Sequence, residues 1–185
     1  MAIYTYCKGY PLFMRRKSGH TLVELIIYTA LISAIGLSFV YFIISVSQTR
    51  TKAFAVSEVQ ANARFAVDVI ARRIRSANGV NGASSVFGSD PGVLSLAMDD
   101  VSKNPTVFDL DQDDGRLRMT EGASAPVFLS SGLVEITRLM FTDQTAPSGA
   151  HPNIMVEMTI TYRNVDGGPE FDYAEDVRTG ATIRK

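Results

Sequence analysis

The sequence predicts an α+β fold: one long amino-terminal helix, with a membrane-spanning first half and an amphipathic second half, packed on a carboxy-terminal antiparallel β-sheet domain. Three observations predict it. From Leu25 to Thr49 the chain carries no charge, a run long enough to cross a bilayer core, which needs about 20 apolar residues. From Thr49 to Ala77 apolar residues recur at spacings of three and four, the period of an amphipathic helix. Beyond Gly92 the period falls to two and the segments shorten to strand length. A helix followed by strands, with no alternation between them, is the order of an α+β domain.

The chain opens with a basic stretch. Of its 18 basic residues four (Lys8, Arg15, Arg16 and Lys17) precede the apolar run, so the remainder carries 14 against 19 acidic residues. Basic residues on the amino-terminal flank favour a cytoplasmic amino terminus, which puts residues after about Arg50 outside. An acidic exported portion offers no electrostatic footprint for nucleic acid. Cys7 is the only cysteine, so the exported portion has no disulfide and must be stabilised by packing. The run is longer than the apolar region of about 7–15 residues in a secretory signal peptide, and Ser45-Val46-Ser47-Gln48-Thr49-Arg50 supplies no small-residue cleavage site.

No proline lies between Pro11 and Pro91, so helix is expected from about Thr21 to Ala77 without a break. Phe54, Val56, Val59, Ala63, Ala66, Val67, Ile70, Ile74 and Ala77 form its apolar stripe. Arg72, Arg73 and Arg75 favour the negative dipole end as a solvated face, and Asn78-Gly79 is expected as a left-handed C-cap. Gly79 to Gly92 reads as a loop. Strands are expected at Val93–Met98, Thr106–Leu110, Arg116–Thr120, Val127–Leu129, Val134–Thr142, Ile154–Arg163 and Val177–Ile183, the last closing the sheet. Ile154–Arg163 is the clearest, with Ile154, Val156, Met158, Ile160 and Tyr162 on one face. The second half of the helix is expected to cover the sheet.

The most specific text is Gly19-His20-Thr21-Leu22-Val23-Glu24-Leu25. Glu24 stands one turn into an otherwise apolar segment, where an unpartnered charge costs about 2.5–3.5 kcal/mol on insertion scales. A sequence that carries such a cost has a use for the residue. These residues, continuing through Ile26-Ile27-Tyr28-Thr29-Ala30-Leu31, resemble the amino terminus of type IV prepilins and type II secretion pseudopilins.

The resemblance implies a pilin-like fold and a set of partners. A prepilin peptidase/methyltransferase would cut after Gly19 and methylate the new amine of His20, where the family usually has phenylalanine. Glu24 would then stand at the fifth mature position and pair with a neighbouring subunit's amino terminus during assembly. That pairing offsets part of each group's desolvation; the alternative is a carboxylate reaching to the headgroups. Other pilins or pseudopilins, an assembly ATPase and a platform protein complete the implied partners. Met14 begins a leader of the family's commoner length, and translation is expected to start there. Gln60–Val80, with Asp68, Arg72, Arg73, Arg75 and Ala77, more distantly resembles W-type minor pilins and J-type minor pseudopilins.

The expected organisation is therefore a cleaved basic leader at 1–19, a long helix at 20–78 with about residues 22–46 in the membrane, and an exported β-rich domain at 79–185. Asp109, Asp111 and Asp113 present alternate carboxylates as in a calcium loop, but Asp114 occupies the position where such a loop needs glycine. A hairpin turn with Asp114-Gly115 at its tip, flanked by Phe108/Leu110 and Leu117/Met119, is favoured, with no metal expected. His151, in Ser148-Gly149-Ala150-His151-Pro152, reads as a loop residue. No nucleophile elbow, phosphate loop, dinucleotide fingerprint or zinc spacing occurs, so neither enzyme activity nor a cofactor is expected.

The function expected from the resemblance is a structural subunit, with a lean towards a minor one, of a type IV pilus or a type II secretion pseudopilus. It would sit in the bacterial cytoplasmic membrane as a single-pass precursor and then enter an extracytoplasmic filament. Two alternatives stand beside it: a membrane-anchored periplasmic enzyme, indifferent to Glu24, and an adhesin or DNA-binding tip pilin.

Overall fold

A computed structural model describes residues 19, 21–147, 151–164, 167 and 172–184. The chain divides into two compact units, one ending at Ser45 and the other beginning at Val46. A single helix, α1 (Leu22–Ser76), contributes to both.

In the first unit Thr21 starts α1. Its carbonyl accepts from the Leu25 N–H at 3.1 Å and its hydroxyl from the Glu24 N–H at 3.3 Å. The apolar window of α1 has a mean hydropathy of 2.1, and none of it is buried within the chain. Its hydroxyls turn back onto the helix: Thr29 donates to the Ile26 carbonyl and Ser38 to the Ala34 carbonyl, each at 2.9 Å. This keeps polar hydrogens satisfied without water. By length and composition the helix can cross a membrane.

In the second unit the helix changes character. Ala55, Val59, Ala63, Ala66, Ile70, Ala71 and Ile74 are buried, and all but Ala55 belong to one core cluster with the strands. Among the described residues eight strands follow: β1 (Gly79–Val80), β2 (Leu94–Ala97), β3 (Thr106–Leu110), β4 (Leu117–Glu121), β5 (Val127–Phe128), β6 (Val134–Asp143), β7 (Asn153–Tyr162) and β8 (Ala174–Thr182). Short 3₁₀ turns occupy Gly82–Ser84 and Val101–Lys103. The architecture is α+β, a long helix packed on antiparallel sheets.

Four expectations need correction. The strands form two sheets rather than one, ordered β1-β2-β3-β4-β5 and β6-β7-β8. The reason lies at the outer edge of β6, where loops take the place of a strand. Gly88 and Gly92 donate to Phe141 and Leu139 carbonyls at 2.9 and 2.7 Å, the Asp90 carboxylate accepts from the Leu139 N–H at 3.0 Å, and the Gly115 carbonyl accepts from the Ile136 N–H at 2.8 Å.

The helix also ends differently. Gly79 is not among the glycines with positive φ. Instead Asn78 donates to the Ala97 carbonyl at 2.8 Å and Gly79 pairs with Ala97, so the chain runs from the helix directly into β1. The sheet supplies the partners that a left-handed cap would have supplied.

The apolar stripe is shifted and smaller than expected. Ala55 is buried whereas Phe54 is exposed, and Val56 and Val67 are only half-buried. Three alanines of α1 in the shared core, Ala63, Ala66 and Ala71, leave little side-chain bulk between helix and strands. Lastly, β1 lies in the expected loop, because a two-residue strand carries no readable period.

The other strands stand within a residue or so of expectation at most ends, although β8 begins three residues early. β7 buries Ile154, Val156, Met158 and Ile160 on one face and half-exposes the residues between, the alternation expected of a one-sided strand. β6 pairs with β7 along its length with one bulge between Ile136 and Arg138.

Candidate functional site

The start of α1 brings Gly19, Thr21, Glu24 and Tyr28 into one short stretch. Gly19 is exposed, and a Cβ built on it meets nothing within 4 Å. His20 and the leader, residues 1–18, lie outside the described residues. Thr21 is the residue before the first helical position and Glu24 the third residue of the helix, the arrangement T-x-x-E of a capping box. Half of that arrangement is formed directly, by the Thr21 hydroxyl and the Glu24 N–H. A carboxylate in the first turn also favours the positive end of the helix dipole.

One turn on, the Tyr28 hydroxyl donates to Glu24 Oε1 at 3.1 Å. The spacing of four places the two side chains on one face. Glu24 is half-buried in a stretch whose neighbours are exposed. The T-x-x-E text and the i, i+4 tyrosine are both present in the sequence, and both are local signals of this geometry. Glu24 therefore has hydrogen-bond partners within its own chain.

The aspartate segment resolves into a strand, a loop and an arginine. Leu110 pairs with Leu117 and Phe108 with Met119, as the hairpin reading required. The connection is wider than a two-residue turn. Asp111 and Arg116 bond across it, and Gly115, at φ +59°, donates to the Asp111 carbonyl at 2.8 Å. Six residues intervene because the loop must also reach β6: a Cβ on Gly115 would stand 2.6 Å from Glu135 Cγ.

Arg118 answers two of these carboxylates, on the face of the hairpin opposite Phe108, Leu117 and Met119. Its Nη2 lies 2.7 Å from Asp109 Oδ2 and its Nη1 3.0 Å from Asp111 Oδ1. The hydrogen bond to Asp109 holds the guanidinium above its ordinary pKa, against the opposing effect of burial. Sequence reading missed Arg118 because the pair is formed across the hairpin, nine residues from Asp109. Among the described residues no group of three or more His, Cys, Asp or Glu side chains is placed to hold a metal.

The basic residues at the end of α1 separate in the structure. Arg72 pairs with Asp68 one turn back, at 2.9 Å and largely exposed, and Arg73 reaches Glu121 of β4 at 2.6 Å. His151 is exposed. Comparison with protein-family models, with curated proteins and with solved structures returns no match for this chain. The candidate site therefore rests on the residues themselves.

Proposed function

We propose that this chain is a structural subunit of a type IV pilus or type II secretion pseudopilus, in a minor role, processed after Gly19 and assembled through α1. The observation that carries the reading is the continuity of its opening. An exposed glycine at 19 and, from Thr21, a capped helix start with Glu24 in the first turn lead into an all-round apolar helix. A helix apolar on every face needs lipid or other apolar helices around it. A filament subunit uses both in turn, lipid as a precursor and sister helices after extraction. Glu24 then exchanges its Tyr28 hydrogen bond for the charged amine of a neighbour, and so sets the axial step between subunits.

The test is co-expression with a prepilin peptidase followed by mass analysis of the amino terminus. Cleavage between Gly19 and His20 is expected in the wild type and in Glu24→Val, with the latter failing to enter filaments. An uncleaved chain would favour a plain membrane anchor. Normal assembly of Glu24→Val would remove the carboxylate from the mechanism.

A further inference from the structure

We propose that β8 is an interaction edge that pairs with β8 of a second copy, antiparallel and centred on Val177. β8 is the outer strand of the three-stranded sheet, with β7 on one side only. Tyr162 N–H donates to the Tyr173 carbonyl at 3.2 Å and Ile183 N–H to the Pro152 carbonyl at 3.0 Å. Bonded pairs recur at every second residue of an antiparallel ladder, so the odd-numbered residues of β8 turn their backbone groups to β7. Ala174, Asp176, Arg178, Gly180 and Thr182 turn theirs outward, and no described residue bonds those groups.

The two edges of this sheet thus differ. The β6 edge is closed by Gly88, Asp90, Gly92 and Gly115, whereas no described residue closes the outward groups of β8. An edge of nine residues is a template for another strand unless charge, proline or a bulge blunts it. β8 has no proline and pairs with β7 in unbroken register. Its charges select a partner instead of repelling one.

Asp176 and Arg178, two residues apart, project from the same side of the strand. With the pair centred on Val177, Asp176 of each copy stands opposite Arg178 of the other, and Ala174 stands opposite Gly180. All four are outward residues, so this register meets the ladder's parity and opposes unlike charges together. Centring on Asp176 or on Arg178 also meets the parity, but sets like charges against each other, which destabilises a strand pair. The row is prepared within each subunit. Thr159 donates to Asp176 Oδ1 at 2.6 Å, and Arg178 Nε lies 2.9 Å from Glu157 Oε1. Across the seam it continues from Thr159 and Asp176 to Arg178 and Glu157 of the second copy, so that each guanidinium lies between two carboxylates.

The pairing uses no residue of the helix start and is read whether or not the chain is cut at Gly19. The experiment uses the full-length chain in detergent micelles, with Cys7→Ser as background. Val177→Cys sets two thiols at a non-bonded pair, where Cα atoms stand about 4.5 Å apart, within the span of a disulfide. Oxidation should give a covalent dimer. Glu175→Cys and Thr179→Cys should give none alone and a dimer when mixed. In sedimentation, Asp176→Arg or Arg178→Asp should weaken the dimer about tenfold, and the double exchange Asp176→Arg/Arg178→Asp should restore it. A chain that stays monomeric, or one whose dimer ignores both the cysteine positions and the charge reversals, overturns the proposal; the second result would assign the dimer to the apolar helices.

Discussion

Ile35 and Ile70 belong to the same helix, yet Ile35 keeps 70% of its surface exposed and Ile70 keeps none. The difference extends to their neighbours. Around Ile35 the helix is apolar on every face, and none of it is buried among the described residues. Around Ile70 one face is lined by alanine, valine and isoleucine against the strands, and the others carry Arg64, Asp68 and Arg72. Full burial of an isoleucine is worth about 1.5–3 kcal/mol, and the second unit realises that gain internally. The first unit leaves its apolar surface uncovered among the described residues. One backbone geometry thus carries two side-chain patterns, and only the second is buried by the chain's own fold.

The sharpest way to break that comparison is a matched pair of truncations. Ile70→Ala should destabilise the sheet domain by about 2–5 kcal/mol, read by denaturant unfolding of the full chain in micelles. Ile35→Ala should leave the same transition within about 0.5 kcal/mol and be felt only in assembly. Equal losses from both would mean that the leading half supports the domain's fold.

A smaller effect probes the alanine stripe. Ala63 is completely buried, so Ala63→Leu should cost about 1–3 kcal/mol through overpacking. If that variant unfolds at the wild-type midpoint, the helix does not lie close on the strands.

The smallest concerns Asp100, which caps the 3₁₀ turn at Val101–Lys103. Bonds from the Ser102 hydroxyl and N–H lower its pKa below the ordinary 3.8. A carboxylate with a lowered folded pKa stabilises fully above its unfolded value, and the contribution is lost as pH falls through the folded one. Wild type and Asp100→Asn should therefore differ slightly in melting temperature above about pH 4 and converge in stronger acid. A difference that persists in stronger acid would place the origin elsewhere.

Periodic features were the most legible. The 3.6-residue period and the missing prolines located α1 to within a residue at each end, and strict alternation located β7. What could not be read depended on pairs distant in sequence. Gly79 looks like a helix cap until Ala97 lies beside it. The hairpin around the aspartates was legible, but the arginine that pairs with them, Arg118, was not. Phe54 looks like core, yet it stays exposed while Ala55 beside it is buried. At the candidate site Gly19, Thr21, Glu24 and Tyr28 were all visible. Their bonds are local, which is why the capping box could have been found from text alone.

By itself the sequence determined the long helix, its change from apolar to striped, the strands with a clear period and the processing-like opening. Each depends on residues within a few turns or one strand length, where local backbone geometry fixes which side chains share a face. Only the tertiary structure decided the division into two sheets, the arginine set between Asp109 and Asp111, and the contrast between the closed edge of β6 and that of β8, which no described residue closes. Those depend on which distant backbone groups find each other, and many pairings of distant segments satisfy the same hydrophobic pattern until the packed chain selects one.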